Sequence, residues 1–135
     1  MRGLRDINVI STLTGLQSLY LQSLRNLIAV PDLSRLHELR KIYLENLKAL
    51  VDIRGLDSAP VLERFVHIGA SNFEPSDYEA LLKKHSLRIV HVGFGSSRKN
   101  QEFRNMAKAA GKSGPEEAPI QDALEIKSSM KSDIR

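Results

Sequence analysis

Shifting the chain against itself by 23 residues lays LYLQSLRNLIAVPDLSRLHELRK (19–41) over IYLENLKALVDIRGLDSAPVLER (42–64), and the apolar positions coincide nearly everywhere. Leu4, Leu27, Leu50 and Phe73 form one column, and Ile10, Leu33 and Leu56 another. Leu19, Ile42 and Phe65 form a third, followed by Leu21, Leu44 and His67, then Leu24, Leu47 and Ala70. A register kept through three copies constrains the fold more than any composition does. Units of this length cannot bury their apolar residues alone and reach a common core by stacking like on like.

The rhythm inside one copy identifies the backbone. In LRKIYLENLKALVDIRGL the apolar residues Leu39, Ile42, Leu44, Leu47, Leu50, Ile53 and Leu56 advance by three, two, then three throughout. A helix would alternate steps of three and four, and a half-buried strand would step by two. The single step of two predicts a short parallel strand around each of Leu19–Leu21, Ile42–Leu44 and Phe65–His67. The steps of three predict a return path of turns or 3₁₀ segments such as VPDLSRL, with one side chain per turn facing in.

On these residues, LHELRKIYLENLKALVDIRGLDSAPVLERF resembles the leucine-rich repeat family, across residues 4–73. More weakly, FEPSDYEALLKKHSLRIVHVGFGSSRKNQEF is similar to the way bacterial members finish, out to about residue 104. The resemblance implies an α/β solenoid: a short curved parallel sheet of about four strands, irregular convex segments and a C-terminal helical cap. The family usually places Asn or Cys where this chain has Leu24 and Leu47, which leaves Ser23 and Asn46 as candidates to satisfy the turn amides.

The expected organisation is a repeat domain over residues 1–110, with repeats to about 73 and a cap over about 74–110, then a tail. Pro75 with Ser76, Asp77 and Glu79 reads as a helix start, and DYEALLKKH as a short helix. LRIVHVG (87–93) repeats LERFVHIG (62–69), which sets Val90 beside Val66 and His91 beside His67 in a fourth strand. RKNQEFRNMAKAA (98–110) suits a capping helix that turns Phe103, Met106, Ala107 and Ala110 towards the core. Residues 111–135 read as a flexible tail, with room for a brief helix around 120–127. At the other end two readings stay open. Either the chain is part of a longer repeat protein, or Leu16–Ser23 is an edge strand that a partner, a second copy or a rearranged N-terminus shields. Self-association through that edge follows from the second.

Composition excludes several classes. The 135 residues suit one domain, and 41% apolar with 27% charged residues is ordinary for a globular chain. No apolar run is long enough for a membrane helix, so no membrane partner is expected, and MRGLRDINVISTLTGL lacks a secretory signal. The expected location is cytoplasmic. With no cysteine there is no disulfide, thiolate metal site or cysteine nucleophile.

The outward side chains of the predicted strands carry the functional expectation. One column reads Ser18, Lys41, Arg64, Arg88; the next Tyr20, Tyr43, Val66, Val90; the third Gln22, Glu45, Ile68, Val92. Successive cations do nothing for the fold, and adjacent tyrosines are rigid interface anchors. Tyr20, Tyr43, Lys41, Arg64, Arg88 and Glu45 are therefore the candidate binding residues for a protein partner of acidic character. The plain alternative is solvated cations beside tyrosines that stack for stability. Two other functions stay in view: polyanion or RNA binding through the basic column, and the recognition part of a larger enzyme or receptor. A net charge of +4 and three tyrosines with four phenylalanines make a poor case for nucleic acid.

Catalysis is not expected. His67 and His91 in one column lack a carboxylate or cysteine at ligand spacing, so no metal and no cofactor is assigned. VGFGSSRKN has Arg98 where a dinucleotide fingerprint needs its third glycine, and reads as a turn into the capping helix.

Overall fold

A computed structural model describes residues 7–114 and 123–127. The chain is an α/β protein built on one parallel sheet, with strands β1 (Ser18–Gln22), β2 (Lys41–Glu45), β3 (Arg64–Ile68), β4 (Ile89–Gly93) and β5 (Ala123–Lys127). Their order across the sheet is β4-β3-β2-β1-β5. Two helices follow the third strand: α1 (Glu79–Leu82), which continues a 3₁₀ turn at Pro75–Tyr78, and α2 (Ser97–Ala109). Further 3₁₀ turns span Ile7–Thr12 and Arg54–Ser58. Among the described residues no helix is long and apolar enough to cross a membrane.

The 23-residue repeat is the register of the sheet. Leu19 pairs with Ile42 and Ile42 with Phe65, and all three side chains are buried. Leu21, Leu44 and His67 form the next buried row. The repeat at residues 1–6, Leu4 among them, lies outside the described residues.

The steps of three have a direct cause. Along much of the return path an inward residue donates its N–H to the carbonyl of the inward residue before it, although Val30 donates to the Asp52 carbonyl and Leu33 to Ser58 Oγ. Leu36 donates to Leu33 (3.1 Å), Leu39 to Leu36 (3.3 Å), Leu50 to Leu47 (3.1 Å), Leu56 to Ile53 (3.0 Å) and Phe73 to Ala70 (3.0 Å). A turn closed over three residues brings the same face inward at each closure, and it satisfies backbone groups that the core would otherwise strand. Leu33, Leu36, Leu39, Leu50 and Leu62 are fully buried by it. Leu13, 23 residues before the buried Leu36, is exposed instead.

The chain leaves β1, β2 and β3 through a left-handed residue: Ser23 (φ 57°), Asn46 (φ 55°) and Gly69 (φ 80°). Their amides continue the ladder to Glu45, Ile68 and Gly93 carbonyls, and Asn46 Nδ2 donates to Ser23 Oγ at 3.0 Å. Ser23 and Asn46 thus take the left-handed turn positions and bond to each other rather than to the turn amides, while Leu24 and Leu47 are buried fillers.

Helix α2 closes the β4 end. Ser96 Oγ caps it by accepting from Lys99 N, and Phe103 and Ala107 enter the core with Met106 partly covered. Ala110, expected inward, is the exposed C-cap, because the helix ends at Ala109. Phe94, buried in the turn before α2, meets Phe103 and Tyr78 edge-on or tilted at 5.9 and 5.8 Å. The helix expected over DYEALLKKH is only the four-residue α1, with Leu81 and Leu82 buried.

The expected parallel sheet of about four strands is present as β1–β4, and among the described residues β5 adds to it. Two expectations are corrected. Residues 123–127, expected in a flexible tail or a brief helix, are strand β5, paired in parallel with β1 from Ser18↔Ala123 to Gln22↔Lys127. The β1 edge, which the sequence left for a partner, a second copy or the N-terminus to shield, is covered by this segment. Residues 115–122 and 128–135 of the expected tail lie outside the described residues.

The second correction is the register of β4. The similarity of VHIG and VHVG suggested that His91 follows His67, yet Phe65 pairs with Val90, Val66 with His91 and His67 with Val92. A slip of one residue exchanges the two faces of a strand. The observed register buries Val90 and Val92 and leaves His91 half-buried on the outer face, whereas the expected one would bury an imidazole and expose two valines.

Candidate functional site

The outer face of the sheet carries the residues that the core does not use. Every second side chain of β2 points inward at Ile42 and Leu44, so Lys41, Tyr43 and Glu45 must point out, and each is half-buried. Parallel pairing in register then sets Tyr20 beside Tyr43, Lys41 beside Arg64, and Gln22 beside Glu45.

Tyr20 and Tyr43 stack face to face, with ring centroids 4.3 Å apart and planes 14° from parallel. Glu45 Oε1 accepts from both hydroxyls, at 3.0 Å from Tyr43 and 3.4 Å from Tyr20. Burial in the stack, helped by the bond to Glu45, pushes the Tyr43 hydroxyl well above the ordinary tyrosine range, which keeps it a donor. The pair is therefore a preorganised aromatic platform with its polar rim already tied to one carboxylate.

Beside the platform, Lys41 and Arg64 are adjacent in one row. Among the described residues, neither they nor Arg88 has a carboxylate within salt-bridge distance, whereas Arg40 faces Glu63 at 3.8 Å. The expected cation column is shorter than the sequence suggested at both ends. Ser18 is buried (3% exposed), and Ile89 takes the strand position beside Arg64. Arg88 precedes β4, exposed, with its N–H donating to the Glu63 carbonyl at 2.9 Å.

The tyrosine row likewise continues through Val66 to His91, in place of Val90, and the third row ends at Gly93 in place of Val92. Burial, with Arg104 adding to it, lowers the His91 imidazole pKa. Sequence reasoning missed His91 because its neighbourhood copies that of His67. The alternation of Val90 and Val92 was the signal that could have placed it.

His67 is a core residue. It is fully buried among Phe65, Phe73 and Tyr78, its Nδ1 shares a 3.0 Å hydrogen bond with the Tyr78 hydroxyl, and its Nε2 has no partner among the described residues. Burial lowers its pKa to about 4, so the ring is neutral at pH 7. His67 and His91 thus stand on opposite faces. Among the described residues no group of three or more His, Cys, Asp or Glu is arranged to hold a metal ion.

VGFGSSRKN, expected as a turn into the capping helix, is a helix entry held by its own residues. Asn100 Oδ1 accepts from Phe94 N at 2.8 Å, and Lys99 Nζ meets Glu74 Oε2 and the Phe73 carbonyl, both at 3.0 Å. Comparison with protein-family models, with curated proteins and with solved structures gives no match.

Proposed function

We propose that the chain is a leucine-rich repeat solenoid, non-enzymatic, whose outer sheet face is concave and binds an acidic segment of a protein partner in the cytoplasm. The in-register parallel strands and the three-residue closures of the return path support the repeat architecture. The observation that carries the binding reading is the juxtaposition of the Tyr20–Tyr43 stack with Lys41 and Arg64. A rigid, half-buried aromatic pair costs little side-chain entropy to dock against, and neighbouring cations without carboxylates supply complementary charge. Arg88 extends the charge at the strand entry, and Glu45 fixes the tyrosines from the other side.

The test is a titration of full-length protein with a labelled poly-glutamate peptide at low and moderate salt. The double variant Tyr43→Ala/Arg64→Ala is expected to weaken binding by about tenfold or more, as loss of an anchor and a cation does, while the circular dichroism spectrum stays unchanged. Unaltered binding by the double variant refutes the assignment, as does parallel loss of fold and binding. Polyuridylate serves as the comparison ligand. Tighter binding of it, with steep salt dependence, would move the site to the polyanion reading.

A further inference from the structure

Strand β5 enters the sheet differently from the other four. β1, β2 and β3 follow one another at 23-residue intervals and β4 after 25, each joined to the last by a return path in the core. Ser18, by contrast, pairs with Ala123, more than a hundred positions along.

Before β5 the chain is at the opposite edge. Ser113 N donates to the Arg88 carbonyl and Val90 N to the Ser113 carbonyl, forming a bridge on the outer side of β4. Five strand spacings, about 24 Å, separate that point from β5, and ten extended residues reach at most about 36 Å. The connection is feasible, but it closes a long loop for a short ladder. Among the described elements, β5 packs substantially against β1.

The edge it covers is a complete template. Gln17 O accepts from Lys41 N, and Ser23 N donates to Glu45 O, so the odd positions of this strand face β2. N–H and C=O groups alternate sides along a strand, and those of Ser18, Tyr20 and Gln22 therefore face the edge where β5 lies. In β5, Leu124 and Ile126 stand at the register positions of buried Leu19 and Leu21.

From this placement we propose that the outer edge of β1 is a strand-addition site for an extended peptide segment of a second protein, apolar at alternate positions, and that residues 123–127 are its built-in, displaceable occupant. Main-chain pairing supplies the affinity of such a site and the alternate apolar positions its selectivity. A tethered occupant held by one ladder competes with the incoming strand and sets the threshold for it. The site is separate from the tyrosine face and stands or falls independently of it.

The chain has no cysteine, which permits a clean test in the full-length protein. Gln22→Cys/Lys127→Cys joins two partner positions, locking β5 when oxidised and releasing it when reduced. The probe is a fluorescent peptide of residues 121–129, followed by anisotropy. The reduced protein is expected to bind it at least about tenfold more tightly than the oxidised protein, and a peptide carrying Leu124→Asp/Ile126→Asp is expected not to bind. A second variant, the full chain with Leu124→Asp/Ile126→Asp, should bind the unaltered peptide more tightly than wild type. It should also exchange the Tyr20 and Gln22 amides faster, with those of Leu19 and Leu21 unchanged. Equal binding by oxidised and reduced protein overturns the proposal. So does failure of the second variant to bind, or wild-type Tyr20 and Gln22 amides that exchange as slowly as those of Leu19 and Leu21.

Discussion

Acidification should destabilise the protein through His67 in an amount that can be worked from its surroundings. The ordinary imidazole pKa is 6.5, and burial lowers it to about 4 in the folded chain. A depressed histidine pKa means that the unfolded state binds the proton first. The contribution is therefore intact above about pH 6.5 and is lost as pH falls towards 4. The displacement corresponds to about 3 kcal/mol when fully expressed, with about 2 kcal/mol already lost by pH 5. Acid acts on other groups as well, so the assay compares wild type with His67→Leu/Tyr78→Phe. That pair restores the leucine of the Leu21 and Leu44 row and removes the hydroxyl that would lose its partner. Urea unfolding at a series of pH values from 7.5 to 4.5 should show the wild type losing about 2 kcal/mol more than the variant between pH 7 and 5. Parallel curves for the two proteins would refute the reasoning, because a buried neutral imidazole with an unpartnered Nε2 must then cost nothing to protonate.

Further consequences concern backbone packing, the core and the platform. A Cβ on Gly55 would stand 2.3 Å from the Pro31 carbonyl oxygen and 2.5 Å from that of Val30, both rigid backbone; Gly55→Ala should cost about 2 kcal/mol in urea unfolding through the backbone shift it forces. Leu44 is fully buried in the middle of the sheet, and Leu44→Ala should lower stability by about 3 kcal/mol in the same assay. Asn46→Gly relieves a left-handed residue at φ 55° but removes its bond to Ser23, so its unfolding free energy in the same assay should change by less than about 1 kcal/mol in either direction.

What the sequence disclosed of this fold and what it concealed follow from one difference, local closure against long-range pairing. The core rows are legible because each three-residue turn returns a side chain to the same side, so Leu33, Leu36 and Leu39 announce their burial by spacing alone. Tyr20, Tyr43, Lys41 and Arg64 are legible for the same reason, since alternation in a strand fixes the outer face once the inner one is known. The β4 register was hidden because VHVG copies VHIG one step out of phase, and only the burial of Val90 and Val92 discriminates. Arg88 consequently leaves the strand row, and His91 enters the tyrosine row. β5 was hidden for a deeper reason. Five residues, Ala123–Lys127, in a largely polar stretch pair with a strand at the other end of the chain, and no local pattern records that contact.

The core rows and the tyrosine face both depend on β1, β2, β3 and β4 lying side by side in register. Inter-strand amide-to-Hα contacts measured by nuclear magnetic resonance on the full chain test this directly. Contacts linking Tyr20 with Tyr43, Tyr43 with Val66, and Val66 with His91 are the predicted result. Contacts of Val66 with Val90 at the same position, or none between the Tyr20 and Tyr43 strands, would contradict it.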